Sequence, residues 1–207
     1  MSRASLRRVV LVSLACFSAI APAACRHHRR HAPIAHGGGP TSAVDLDDGS
    51  IAGIAGAVHT ALIEQAEVAQ DRGDDDGVKW FADRVLARQS QLGQWANVEF
   101  ARIRLESRET AQSRAIAEES MATMRRLSSK MADEFDRAYV DSQVRLLEHA
   151  VQLYDGTLTR EADDPSVRAV LNRDRDALHA QLVDARGLVA RLQTPVPPTG
   201  PTRLSSP

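Results

Sequence analysis

Met131–Glu161, MADEFDRAYVDSQVRLLEHAVQLYDGTLTRE, is the stretch on which the fold turns. It holds no proline, and its one glycine, Gly156, comes near the end. Phe135, Ala138, Tyr139, Ser142, Leu146, His149, Ala150 and Leu153 recur at steps of three and four, which places them on one side of an α-helix. A second row, Val140, Val144, Leu147, Val151, Tyr154 and Leu158, flanks the first. A helix apolar over most of its circumference needs partners on several sides, as the central helix of a bundle has.

Working outward, the C-terminal neighbour has the clearest start in the chain. Asp164 is placed to cap a helix, and Pro165 takes its first position, where a missing N–H costs nothing. Val167, Val170, Leu171, Asp174, Leu178, Gln181, Leu182, Ala185 and Leu188 form the inward stripe. From Thr194 the sequence TPVPPTGPTRLSSP cannot continue a helix and reads as a disordered tail, 194–207.

On the N-terminal side, Ala111–Leu127 is helical, with Ile116, Met121, Met124 and Leu127 on its stripe. Ser128-Ser129 then offers an N-cap for the helix that follows. A helix from Val78 carries Phe81, Ala82, Val85, Gln89, Leu92 and Ala96, and the charged run Leu105–Thr110 is either a break or exposed helix. The first helix begins after Asp47-Asp48 and runs to about Arg72 with Ile51, Ile54, Ala55, Val58, Leu62, Ala66 and Ala69 inward. Between these two, Asp74-Asp75-Asp76 lacks the later ligands of a calcium loop, and its aspartates terminate one helix and cap the next. Aromatics make up only 4% of the chain, which argues for helices meeting through small residues. The expectation is an all-α, antiparallel bundle of four to five helices over 49–193.

The first 24 residues read as a signal peptide. Arg3, Arg7 and Arg8 precede the apolar run Val9–Ala21, which is too short to span a bilayer. Ala21-Pro22-Ala23 fits ordinary signal peptidase, and cleavage there gives simple secretion. Ala23-Ala24-Cys25 fits a lipobox, in which Cys25 is lipidated and becomes the first residue, although Pro22 replaces the usual leucine. Loss of Cys16 with the signal would leave Cys25 without a disulfide partner, which suits an anchor. Residues 25–48, with RHHRRHAPIAHGGGP, read as a disordered, cationic tether lying near lipid headgroups. The implied location is the periplasmic face of an outer membrane, or the envelope more generally, with secretion as the alternative. The formal net charge of -1 gives no case for nucleic-acid binding.

Phe135-Asp136-Arg137-Ala138-Tyr139-Val140-Asp141, followed by Gln143-Val144, resembles the FDxxYxxxxV signature of the bacterial domain-of-unknown-function family 4142. Glu64 with its small neighbours, Phe81-Ala82 and the Asp164-Pro165 start fit the same pattern over about Gly49–Gln193. The resemblance implies a ferritin-like bundle, exported, often lipid-anchored and described as an outer-membrane protein, with no established activity. Members of that family often carry histidine where this chain has Gln89, Leu147 and Gln181.

A ferritin-like di-metal site needs Glu-x-x-His from two helices, and this chain has none. Glu64-x-x-Glu67 can lie solvated on the flank of its stripe, and Asp176-x-x-His179 points off the apolar row. Four polar residues do fall on core stripes: Gln89, His149, Asp174 and Gln181. They are expected to form a buried hydrogen-bonded network without metal, since an unpaired buried polar group costs about 1–3 kcal/mol. The alternative is a metal or proton site, either His149 with Asp174 or the tether histidines His27, His28, His31 and His36. The resulting expectation is a non-enzymatic interaction module needing no cofactor, held to the membrane by lipid and meeting a protein partner in the envelope. A metal-binding or redox protein of the ferritin-like type is its competitor.

Overall fold

A computed structural model describes residues 46–194 of the 207. Every regular element among the described residues is helical, with no strand: α1 (Asp48–Arg72), α2 (Asp76–Arg102), α3 (Ala111–Ser128), α4 (Ala132–Leu153), a π-helical turn (Tyr154–Leu158), a single turn α5 (Thr159–Glu161) and α6 (Pro165–Gln193), and Leu105–Thr110 is a break between α2 and α3. The signal segment, Cys25, the tether and the Pro-rich tail lie outside them.

Side-chain caps set most helix starts. Asp47 accepts from the Ser50 N–H, Asp75 from Gly77 and Val78, and Asp164 from Ser166, so each carboxylate satisfies donors that a helix start leaves open. Thr110 and Ser113 form a reciprocal capping box at α3. One expected cap is corrected. Ser129 closes α3, and α4 starts at Met131 with no side-chain bond to its free N–H groups.

Contacts along the helices fix their directions. Arg72 lies over Phe135 and Gln65 meets Ser142, so α1 and α4 are antiparallel. Asp75–Arg191, Arg84–Asp184 and Arg102–Ser166 make α2 and α6 antiparallel. Arg137 reaches the Leu192 carbonyl and Glu148 pairs with Arg186, so α4 and α6 are antiparallel as well. With the tight α1–α2 turn, these four helices form a closed antiparallel bundle. Helix α3 is the fifth member. It packs against α1, and Gly49 near Arg108, Glu64 near Ser120 and Arg72 near Leu127 show the two running parallel.

The α2–α3 connection crosses the start of α1 at close range. The Arg108 N–H donates to the Gly49 carbonyl at 2.8 Å, and a Cβ on Gly53 would overlap the Arg108 carbonyl oxygen. Glycine is needed at position 53 because backbone occupies the space a side chain would take.

The signature residues of α4 do structural work at the opposite end. Phe135 and Tyr139 are fully buried and stacked with centroids 6.3 Å apart, Phe81 packs on Tyr139, and the Arg72 guanidinium lies 4.9 Å above the Phe135 ring. Asp136, buried beside them, accepts from the backbone N–H groups of Asp74 and Asp75 at 3.1 and 2.7 Å. It thereby holds the α1–α2 turn against the start of α4.

The stretch 131–161 is not one uniform helix. At Tyr154–Leu158 it widens into a π turn, which places one extra residue in the coil and re-phases the side chains after it. Gly156 sits in that turn, and both Tyr154 and Leu158 stay fully buried. The buried face of α4 runs Phe135, Tyr139, Gln143, Leu147, Ala150 and Tyr154, between the two rows read from the sequence. Leu146 and Leu153 of the first row are half-buried, and His149 is exposed.

Candidate functional site: a buried polar cluster beside a cavity

His59 comes from the middle of α1, Gln89 from α2, Tyr154 from the π turn, and Asp174 and Gln181 from α6. All five side chains are buried, and Gln89, Tyr154 and Asp174 are fully so. His59 Nδ1 lies 2.5 Å from Gln89 Oε1, and its Nε2 lies 3.0 Å from Asp174 Oδ2. Gln89 donates its Nε2–H to Gln181 Oε1 at 2.6 Å. That bond orients the Gln89 amide so that its oxygen, an acceptor only, faces the imidazole. A carboxylate faces the other ring nitrogen. Both positions therefore favour an N–H on the ring, and His59 fits as an imidazolium between two acceptors.

The electrostatics agree with the geometry. Burial opposes the charged ring, but the hydrogen bond to Asp174, the Asp174 charge and the bond to Gln89 outweigh it, so the pKa of His59 rises above the ordinary 6.5. Tyr154 donates to Asp174 Oδ2 at 3.4 Å. Its phenol is pushed well up by burial and then by the Asp174 charge, and it stays a neutral donor. Two atoms at the ends of the cluster have no partner in the protein, Asp174 Oδ1 and Gln181 Nε2.

A cavity of about 420 Å³ opens between α1 and α2 and is lined by His59, Gln89 and Asp174 together with Thr60, Ser90 and Asn97. Gly56 and Gly93 also border it, and a Cβ on either would meet nothing within 4 Å. The missing side chains keep this space open.

Of the residues singled out from the sequence, Gln89, Asp174 and Gln181 meet in this cluster. His149 does not. It lines a separate groove of about 260 Å³ among α1, α3 and α4, with Val58, Ile116, Leu146 and Ala150 as apolar walls and Arg145 one turn away. The pairing of His149 with Asp174 is therefore corrected, because Asp174 takes His59 as its partner on the other face of α1. His59 was the residue missed. Its signal was there: it lies four after Ala55 and three before Leu62, on the stripe of α1.

Glu64 is half-buried and accepts from Ser120 Oγ at 3.2 Å, rather than being freely solvated, and Glu67 is exposed. His179 is exposed and pairs with Asp155 at 3.1 Å. Gln65 gathers a second small polar layer, accepting from Ser142 Oγ and Gln143 Nε2 at 3.1 Å each. Among the described residues, no three His, Cys, Asp or Glu side chains converge as a metal-binding group. Cys25, His27, His28, His31 and His36 lie outside those residues.

A family model described as Domain of unknown function (DUF4142) matches residues 35–188. The chain belongs to this family. No curated protein and no solved structure matches it. In this DUF4142 chain Gln89 and Gln181 are hydrogen-bonded to each other, and Leu147 is fully buried. No helix among its described residues is long and apolar enough to cross a membrane.

Proposed function

We propose that this DUF4142 chain is an exported helical module, anchored in the cell envelope through lipid on Cys25, that acts by binding rather than by catalysis. The anchor rests on the sequence: a basic start, a short apolar run and Ala23-Ala24-Cys25. The binding role is supported by one observation above the others. A preformed cavity sits over a histidine whose two ring nitrogens are both engaged, by Gln89 and by Asp174. A general base needs a free ring nitrogen within reach of the proton it takes. An imidazole tied on both sides instead fixes the wall of a site.

Mass spectrometry of the mature protein and metal analysis of the full chain test the reading together. The expected outcome is a diacyl- or triacyl-modified Cys25 at the N-terminus, with no stoichiometric iron, zinc or copper kept through dialysis when His27, His28, His31 and His36 are all replaced by Ala. An unmodified start at Ala24 would remove the anchor. Metal retained in that variant, and lost on adding His59→Gln, would replace the binding module by a metal-handling protein.

A further inference from the structure

We infer that the cavity between α1 and α2 is a site for a small neutral polyhydroxy molecule of the monosaccharide class. This deepens the reading of the bundle as a binding module and does not depend on the lipid anchor.

Size comes first. A water takes up about 30 Å³ of liquid, and the cavity, at about 420 Å³, is far larger than one water needs. It falls in the range of pockets that enclose small organic ligands.

Charge decides the class. Among the described residues, His59 and Asp174 are the only ionisable side chains lining the cavity, and they are paired with each other at 3.0 Å. An anionic or cationic ligand would leave water for a wall that offers no uncommitted counter-charge, which is costly. A neutral ligand avoids that cost.

The rest of the wall then asks for hydroxyl groups. Thr60, Ser90, Gln94 and Asn97 each present both donor and acceptor capacity. A sugar hydroxyl also donates and accepts, so neighbouring hydroxyls can answer the carbonyl and the NH₂ of one amide together. Ile63 and Phe100 supply the apolar wall that suits the C–H face of a pyranose ring.

The test uses the full-length chain with glucose, galactose, N-acetylglucosamine and glycerol as probes, and with acetate and methylammonium as charged controls. Saturation-transfer NMR and calorimetry read the binding. The expected result is saturable binding of at least one sugar, with neither charged control competing. Gly93→Leu and Gly56→Leu each fill the cavity from a position where a Cβ meets open space. Both should keep a cooperative melt and weaken the sugar by about tenfold or more. Asn97→Ala, which removes one wall amide and leaves the helix intact, should weaken it less. Tighter binding of acetate or methylammonium than of every sugar, or no binding of any probe, would overturn the inference. Sugar binding that survives both leucine variants would overturn the site while leaving the binding module standing. Turnover of the sugar into product would overturn the module reading as well.

Discussion

Replacing Asp174 by Asn removes one charge from the bundle centre and leaves the shape almost unchanged. Asp174 is fully buried, and its Oδ2 lies 3.0 Å from His59 Nε2, so solvent does little to screen the pair. Removing one partner of a buried ion pair typically costs about 3–5 kcal/mol, because the other charge is left uncompensated. Here the cost depends on pH. The folded-state pKa of His59 is raised above the ordinary 6.5. The stability gained from the pair is therefore complete below about 6.5 and is lost as pH rises through the raised value. Asp174→Asn should thus destabilise most in mild acid and progressively less in mild alkali. Urea unfolding of both proteins at pH 5 and pH 9 measures this, and taking the difference between proteins at each pH cancels the exposed histidines they share. The His59 ring resonances in the variant should titrate at lower pH than in the parent. An equal loss at both pH values would show that the pair is not an imidazolium–carboxylate pair. So would an unshifted His59 titration.

Asp136→Ala should cost about 3–6 kcal/mol in denaturant unfolding, since hydrogen bonds to charged groups contribute about 1.5–3 kcal/mol each and two backbone N–H groups lose their acceptor. Phe135→Ala should lower stability by about 3–5 kcal/mol, as expected for a fully buried ring, and an unchanged thermal melt would place the core on another face. Two glycines should respond in opposite directions. Gly93→Ala meets open space and should stabilise by about 0.5–1 kcal/mol, whereas Gly53→Ala must push the Arg108 backbone off α1 and should lower the melting temperature clearly.

The helices were legible where local chemistry decides them. Asp47, Asp164-Pro165 and the apolar spacing of α1, α2 and α6 act within a few residues, so they can be read without the tertiary fold. Gln89, Asp174 and Gln181 were legible because a polar residue on an apolar stripe stands out. His59 did not, since Val58 beside it already filled the same turn of the row. The error at His149 has a related cause. On α4 nearly every direction is apolar, so periodicity alone cannot say which of two adjoining faces meets α3 and which meets the bundle centre. The π turn escaped because it is set by packing: Tyr154 is held near Asp174 while Leu158 remains in the core, and Gly156 is the only local hint. Asp136 was quoted as part of a signature, but its role in holding the α1–α2 turn depends on a contact 61 residues away.

The same long reach governs the order in which the molecule can be completed as it is made. His59 waits for Asp174, 115 residues further along, and Asp48 waits for the N–H groups of Asp163 and Asp164. Until the last helix has left the ribosome, α1 and α2 can pair as a hairpin, but His59 and Gln89 face water and Gln89 lacks its Gln181 partner. Contacts this distant must overcome the entropy of closing a long loop before they contribute anything. The four-helix core consequently cannot close until α6 has been made. A chain truncated before α6 would therefore keep His59 and Gln89 without their Asp174 and Gln181 partners and leave the bundle without a closed core.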